Sequence, residues 1–143
     1  MKIEIEIAPR RIADLMVTAI EGGSNYWCRS VLLLRWEPGN HFSEVLSGRE
    51  AVAAAEADSE SDNWYDCPAL FGDGSLFEIE VGEYNEEGEP QSRRITQADF
   101  KVGLKLMAEK YGQHFGDFLN DNEDATTADV FLQCVALKDI VYG

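Results

Sequence analysis

The chain is predicted to be an α+β domain in which a small antiparallel or mixed sheet carries helices packed on one face. Three observations lead there. Two segments alternate polar and apolar residues with the period of a half-buried strand, and others repeat apolar residues at helical spacing behind capping signals. Strands and helices follow one another in the order β-α-β, a hairpin, then two or three helices, whereas a doubly wound parallel sheet needs regular alternation. At 143 residues, 45% of them hydrophobic and fifteen aromatic, the chain has enough apolar material for one core without disulfides or a structural metal. One domain is expected over residues 1–143, with an acidic, loop-rich middle at about 58–75.

The first strand is expected at residues 2–7, KIEIEI, where Ile3, Ile5 and Ile7 fall on one side and Lys2, Glu4 and Glu6 on the other. Pro9 then sets a helix-compatible φ. Ile12, Leu15, Met16, Ala19 and Ile20 recur at helical spacing until Gly22 and Gly23 supply a stop, so a helix is expected over 9–21. Residues 26–36, YWCRSVLLLRW, read as a strand whose apolar run Val31 to Leu34 faces both ways, the pattern of an inner strand covered on both faces. The alanine-rich stretch 42–57 favours a short exposed helix, and 58–74 a long loop pinned by Trp64, Tyr65, Leu70 and Phe71.

Residues 76–84, LFEIEVGEY, alternate Phe77, Ile79 and Val81 against Glu78, Glu80 and Glu83, a strand with one acidic face, although Gly82 breaks the count. The polar run 85–90 predicts a hairpin turn, with a short returning strand at 92–95. Thr96 stands three residues before Asp99, a capping box, and Phe100, Leu104, Met107, Ala108 and Tyr111 follow at helical spacing. A short helix is expected within 114–119. A last helix, capped near Thr126 or Thr127, carries Val130, Phe131, Cys134 and Leu137.

Twenty-seven acids against twelve bases give a net charge of −15, distributed unevenly. From Glu44 to Glu89 there are fourteen acids and one base, Arg49. That field opposes direct binding to nucleic acid or anionic lipid and steers encounters with basic protein surfaces. Cys28, Cys67 and Cys134 are odd in number and form no C-x-x-C pair, as expected of reduced thiols in a cytoplasm. The alternating first residues differ from a secretory signal, and no stretch approaches the ~18 apolar residues of a membrane span. Neither export nor membrane insertion is expected.

Motifs for catalysis are sparse. His41 and His114 are the only histidines, and neither has a fixed partner nearby in sequence. There is no G-x-S-x-G. Gly22 and Gly23 join a helix to a strand, the reverse of the order in which glycine loops cradle phosphate on a helix N-terminus, so they read as helix termination. Residues 120–124, NDNED, suggest calcium but lack the glycine and the bidentate carboxylate that an EF-hand would place at Ala125 and Phe131. Helix capping and solvation by Asp124 and Thr126 explain them more simply. No catalytic, metal or cofactor residues are assigned.

The sharper candidate is the acidic stretch. Carboxylates at strand spacing can imitate nucleic-acid phosphates and occupy a basic groove, with Asp58, Glu60, Asp62, Glu78, Glu80 and Glu83 as the charges and Trp64 and Tyr65 as anchors. An alternative is a small-ligand pocket, in a binding protein or an enzyme, formed by Asn25, Tyr26 and Trp27 with Asp121, Asp124 and Asp129.

Two segments, AIEGGSNYWC at 19–28 and HFGDFLNDNEDATTADVFLQCVALKDIVYG at 114–143, resemble a group of small proteins encoded in tailed bacteriophages and prophages. The resemblance covers these segments and carries no site residues over. What it implies is context: an accessory protein made in the bacterial host cytoplasm, where small acidic proteins inhibit host nucleases or CRISPR complexes. Together with the charge it leads to the expectation of a non-enzymatic, anti-CRISPR-like or nuclease-inhibiting protein. Its partner is then a basic surface of a host protein or nucleoprotein complex.

Overall fold

In a computed structural model the described residues are 1–34, 76–84 and 86–143. The expected helix at 42–57 and loop at 58–74 lie outside them. Helix α1, Pro9–Thr18, begins on proline, whose missing N–H is not needed in a first turn, and buries Ile12, Leu15 and Met16 on the face the spacing marks. Its last turn widens into a π-helical turn, Ala19–Gly23. The chain must stay slim here: a Cβ on Gly23 would lie 2.5 Å from the carbonyl oxygen of Ala125. The amides of Trp27 and Cys28 both bond the Ser24 carbonyl, turning the chain into strand β1, Cys28–Leu34.

Strand β2, Leu76–Tyr84, and strand β3, Pro90–Thr96, form an antiparallel hairpin, and β1 pairs antiparallel with β2, so the sheet order is β1-β2-β3. The register places Val31 opposite Ile79, and Glu78 between Leu32 and Arg94. Gly82 interrupts the alternation because the ladder shifts between Val81 and Tyr84, and the Gly82 amide there bonds the Trp27 carbonyl at 2.6 Å.

Helix α2, Gln97–Lys110, starts at the predicted capping box, with Asp99 Oδ2 accepting from the Thr96 amide at 2.8 Å. Helix α3, Gly112–Leu119, and helix α4, Ala125–Ala136, complete the helical layer. The cap of α4 is Asp124, which accepts from the Thr127 amide at 2.9 Å, rather than Thr126 or Thr127. A carboxylate at this position meets both the orphan amides and the positive helix end. Beyond α4, Lys138 takes φ +62° and ties the helix end to the start of α2, its Nζ donating to Asp99 at 2.8 Å and to the Val135 carbonyl at 2.7 Å.

The core lies between the helices and the sheet face of Phe77, Ile79, Val81 and Ile95. Phe77 meets Phe100 edge-on at 5.8 Å, and Phe100 stacks on Phe131 at 6.1 Å, an aromatic line from sheet through α2 to α4. Helices α2 and α4 touch at Gly103, where a Cβ would fall 2.7 Å from the Val135 Cα.

Two expectations are corrected. Residues 2–7 are not a strand of this sheet: residues 1–8 belong to no ladder among the described residues, and Ile3 is 77% exposed. Alternation makes a strand only where an edge is available; here Ile3, Ile5 and Ile7 line a groove with Leu104 and Ala108 of α2 instead. Strand β1 is bonded to β2 alone among the described residues, and Leu32, on the Glu78 side, is only half-buried, so β1 is not an inner strand of the described sheet.

Candidate functional site

Residues 19–28 and 114–143 meet at one side chain. Asp129, in the first half of α4, points at the turn between the π-helical turn and β1. Its Oδ1 accepts from Ser24 Oγ at 2.9 Å and Trp27 Nε1 at 2.6 Å; its Oδ2 accepts from Tyr26 Oη at 2.6 Å and Gln133 Nε2 at 3.1 Å. Four donors fill the acceptor sites of one carboxylate, and three of them come from residues more than a hundred positions away.

Gln133, one helical turn beyond Asp129 and buried, extends the network. Its Oε1 accepts from the amides of Val141 and Tyr142, both at 2.8 Å, and its Nε2 also reaches the Tyr142 carbonyl at 3.0 Å. Tyr142 thereby lies flat on Trp27, the rings 5.6 Å apart and 6° from parallel. Partial burial of the Tyr26 hydroxyl and the adjacent Asp129 carboxylate push that phenol up to about 12. At neutral pH Tyr26 is therefore a fixed donor. Chemically the arrangement is a clamp that joins α4, the β1 corner and the last residues, with its polar atoms already spent on one another.

The residues expected to form a ligand pocket are thus distributed among three structural tasks. Tyr26, Trp27 and Asp129 are brought together as the clamp, Trp27 being 1% exposed. Asp124 caps α4. Asp121, at φ +57°, accepts from Arg11 Nη1; Arg11 also lies 3.1 Å from Glu123 and 4.7 Å from the centre of the Phe118 ring, and its Nη2 donates to the Phe118 carbonyl. Asn25 instead lines a separate cavity of about 370 Å³ with Ile20, Cys28 and Arg29. Ser24, Gln133 and Tyr142 were not singled out from sequence, although Asp129 and Gln133 share a helix face at i, i+4.

Of the acidic-face candidates, Asp58, Glu60, Asp62, Trp64 and Tyr65 lie outside the described residues, as does the side chain of Glu83. Glu78 and Glu80 project from β2 on the face opposite Phe77, Ile79 and Val81, as alternation requires. Glu78 does not stand as a bare charge: its Oε2 is 3.4 Å from Arg94 Nε, because the register puts the two residues directly across the ladder. Glu86, Glu87 and Glu89 are all exposed at the tip of the hairpin. Twelve residues, 78–89, hold six acids and no base.

His114 is half-buried, with Nδ1 3.3 Å from Thr127 Oγ1; His41 lies outside the described residues. Burial pushes the Cys28 thiol up to about 12 and that of Cys134 up to about 11, which holds both as unreactive thiols at neutral pH. Among the described residues no group of three or more His, Cys, Asp or Glu side chains is arranged to hold a metal ion, and no helix is long and apolar enough to cross a membrane. Comparison of the chain with family models, with curated proteins and with solved structures finds no match.

Proposed function

We propose that this is a phage-encoded acidic binding protein that acts in the bacterial cytoplasm by occupying a basic, nucleic-acid-binding surface of a host defence protein or complex. The observation that carries the reading is the distribution of charge. Between Arg49 and Arg93 there are thirteen acids and no base, and the described end of that stretch is a hairpin with Glu86, Glu87 and Glu89 exposed at its tip. Carboxylates carried on one hairpin are brought together before binding, so less conformational freedom is lost when they meet cations. Their field also speeds encounter with a basic groove.

The tip offers a cleaner test than the strand. Reversing Glu78 to lysine would set it against Arg94 and disturb the ladder, whereas Glu86 and Glu87 lie beyond the last ladder pair, in the turn. The experiment is affinity capture from bacterial lysate at low and high salt, with E86K/E87K beside the wild type. A nucleic-acid-binding protein should be retained at low salt and released at high salt. The double variant should bind that protein roughly 3–30-fold more weakly, on the scale of two exposed charge pairs. Equal retention of the same partner by both proteins rules out the hairpin tip as the binding element.

A further inference from the structure

Residues 1–8 form an unfinished piece of structure. Ile3, Ile5 and Ile7 line one wall of an apolar groove of about 590 Å³, and Leu104, Ala108 and Phe115 line the other. Ile7 packs on the core, but Ile3 and Ile5 remain 77% and 53% exposed. Apolar side chains on alternate residues share one groove, and the backbone that bears them has no ladder among the described residues. A strand laid along this segment would supply both a backbone edge and apolar side chains at every second position. An acyl chain fills an apolar groove but leaves the peptide groups unpaired; a strand answers both needs.

We propose that the occupant is the same segment of a second copy of this chain, paired antiparallel across a two-fold axis so that Lys2 faces Glu6, Ile3 faces Ile5 and Glu4 faces its own symmetry mate. Two observations favour a second copy over another strand. The first is self-complementarity: this register matches isoleucine with isoleucine and forms two Lys2–Glu6 pairs, which outweigh the single Glu4–Glu4 repulsion on the two-fold axis. The second is where the charge is absent. Residues 1–34 hold four acids and four bases, and the groove wall contributes Lys101 and Lys105, whereas residues 50–92 hold thirteen acids and no base. Two copies of a chain with net charge −15 repel one another least when they meet through this part of the molecule.

The test is sedimentation velocity over a concentration series of the full chain. A concentration-dependent monomer–dimer equilibrium is expected. Lys2→Glu and Glu6→Lys should each weaken self-association about tenfold, and the double variant should restore it, because only the exchanged pair recreates opposite charges in this register. I3S/I5S should abolish the dimer. These side chains are exposed in the single chain, so its helical circular dichroism serves as the control for folding. A protein that stays monomeric up to about 100 μM overturns the proposal. So does a dimer indifferent to both charge changes. A monomer whose groove takes up a fluorescent fatty acid overturns it in favour of an amphiphile site.

Discussion

Removing the Asp129 carboxylate tests whether the clamp is structural or a site awaiting a ligand. In Asp129→Ala, Tyr26 loses an acceptor but is 56% exposed, so water replaces it, and Gln133 Nε2 keeps the Tyr142 carbonyl. Trp27 Nε1 and Ser24 Oγ have no such recourse, their residues being 1% and 0% exposed. Two stranded donors at about 1–3 kcal/mol each, less the desolvation recovered from the carboxylate, give a loss of about 3 kcal/mol. For a domain of this size that corresponds to about 10 °C in Tm.

Asp129→Asn should fall between alanine and wild type. Its oxygen can continue to serve Trp27 and Ser24, and the Tyr26 hydroxyl can turn to accept from the new amide. The Gln133 amide cannot flip in response, because its oxygen holds Val141 and Tyr142, so one donor–donor contact remains. A loss of about 1–2 kcal/mol follows. The assay is urea unfolding followed by far-ultraviolet circular dichroism, with ultraviolet titration of Tyr26 as the local reporter. That phenol, at about 12 in the wild type, should move part of the way towards 10 in the alanine variant, since burial still holds it up. Stability of Asp129→Ala within about 0.5 kcal/mol of wild type would refute the reasoning, and would mean that the carboxylate is available to a ligand.

The remaining predictions concern packing and pH. Gly103→Ala adds a good helix former to α2, which by propensity alone stabilises by about 1 kcal/mol, yet its Cβ would meet the backbone of Val135 at 2.7–2.8 Å. A net loss of about 1–3 kcal/mol in urea unfolding is expected, and a gain would show that α2 and α4 can separate freely. Asp99 is held below the usual carboxylate range: burial works to raise it, but Lys138 and the Thr96 amide outweigh burial. Its stabilisation is therefore complete above the unfolded value of about 3.9 and is lost as pH falls through the lower folded value. Asp99→Asn should lower the urea midpoint at pH 7 and converge with wild type once the pH has fallen through that lower folded value. A gap that stays constant with pH would assign the effect to something other than this charge.

What the sequence determined by itself was the local structure. Strand β2 has the bounds that its alternation marked, α2 begins at its capping box, and α1 buries the face that its spacing indicated. These features depend on neighbours within one turn or one pleat, so periodicity and capping chemistry are enough to reveal them. The shortage of bases through the middle of the chain, on which the functional proposal rests, is likewise a property of composition.

Only the tertiary structure decided which partners lie far along the chain. Residues 2–7 have as clear a strand pattern as β2, but a ladder also requires a neighbouring edge, and no local signal says whether one is available. Glu78 carries the same charge as Glu80, yet the β2–β3 register gives it Arg94, sixteen residues away. Asp129 looked like one of three carboxylates free to converge on a ligand. Folding sends Asp121 to Arg11 and Asp124 to a helix end, and surrounds Asp129 with donors from Ser24, Tyr26 and Trp27 across more than a hundred residues. A buried acceptor costs free energy until it is matched, and where its donors come from is settled by the packing of α4 against the β1 corner rather than by any spacing within the sequence.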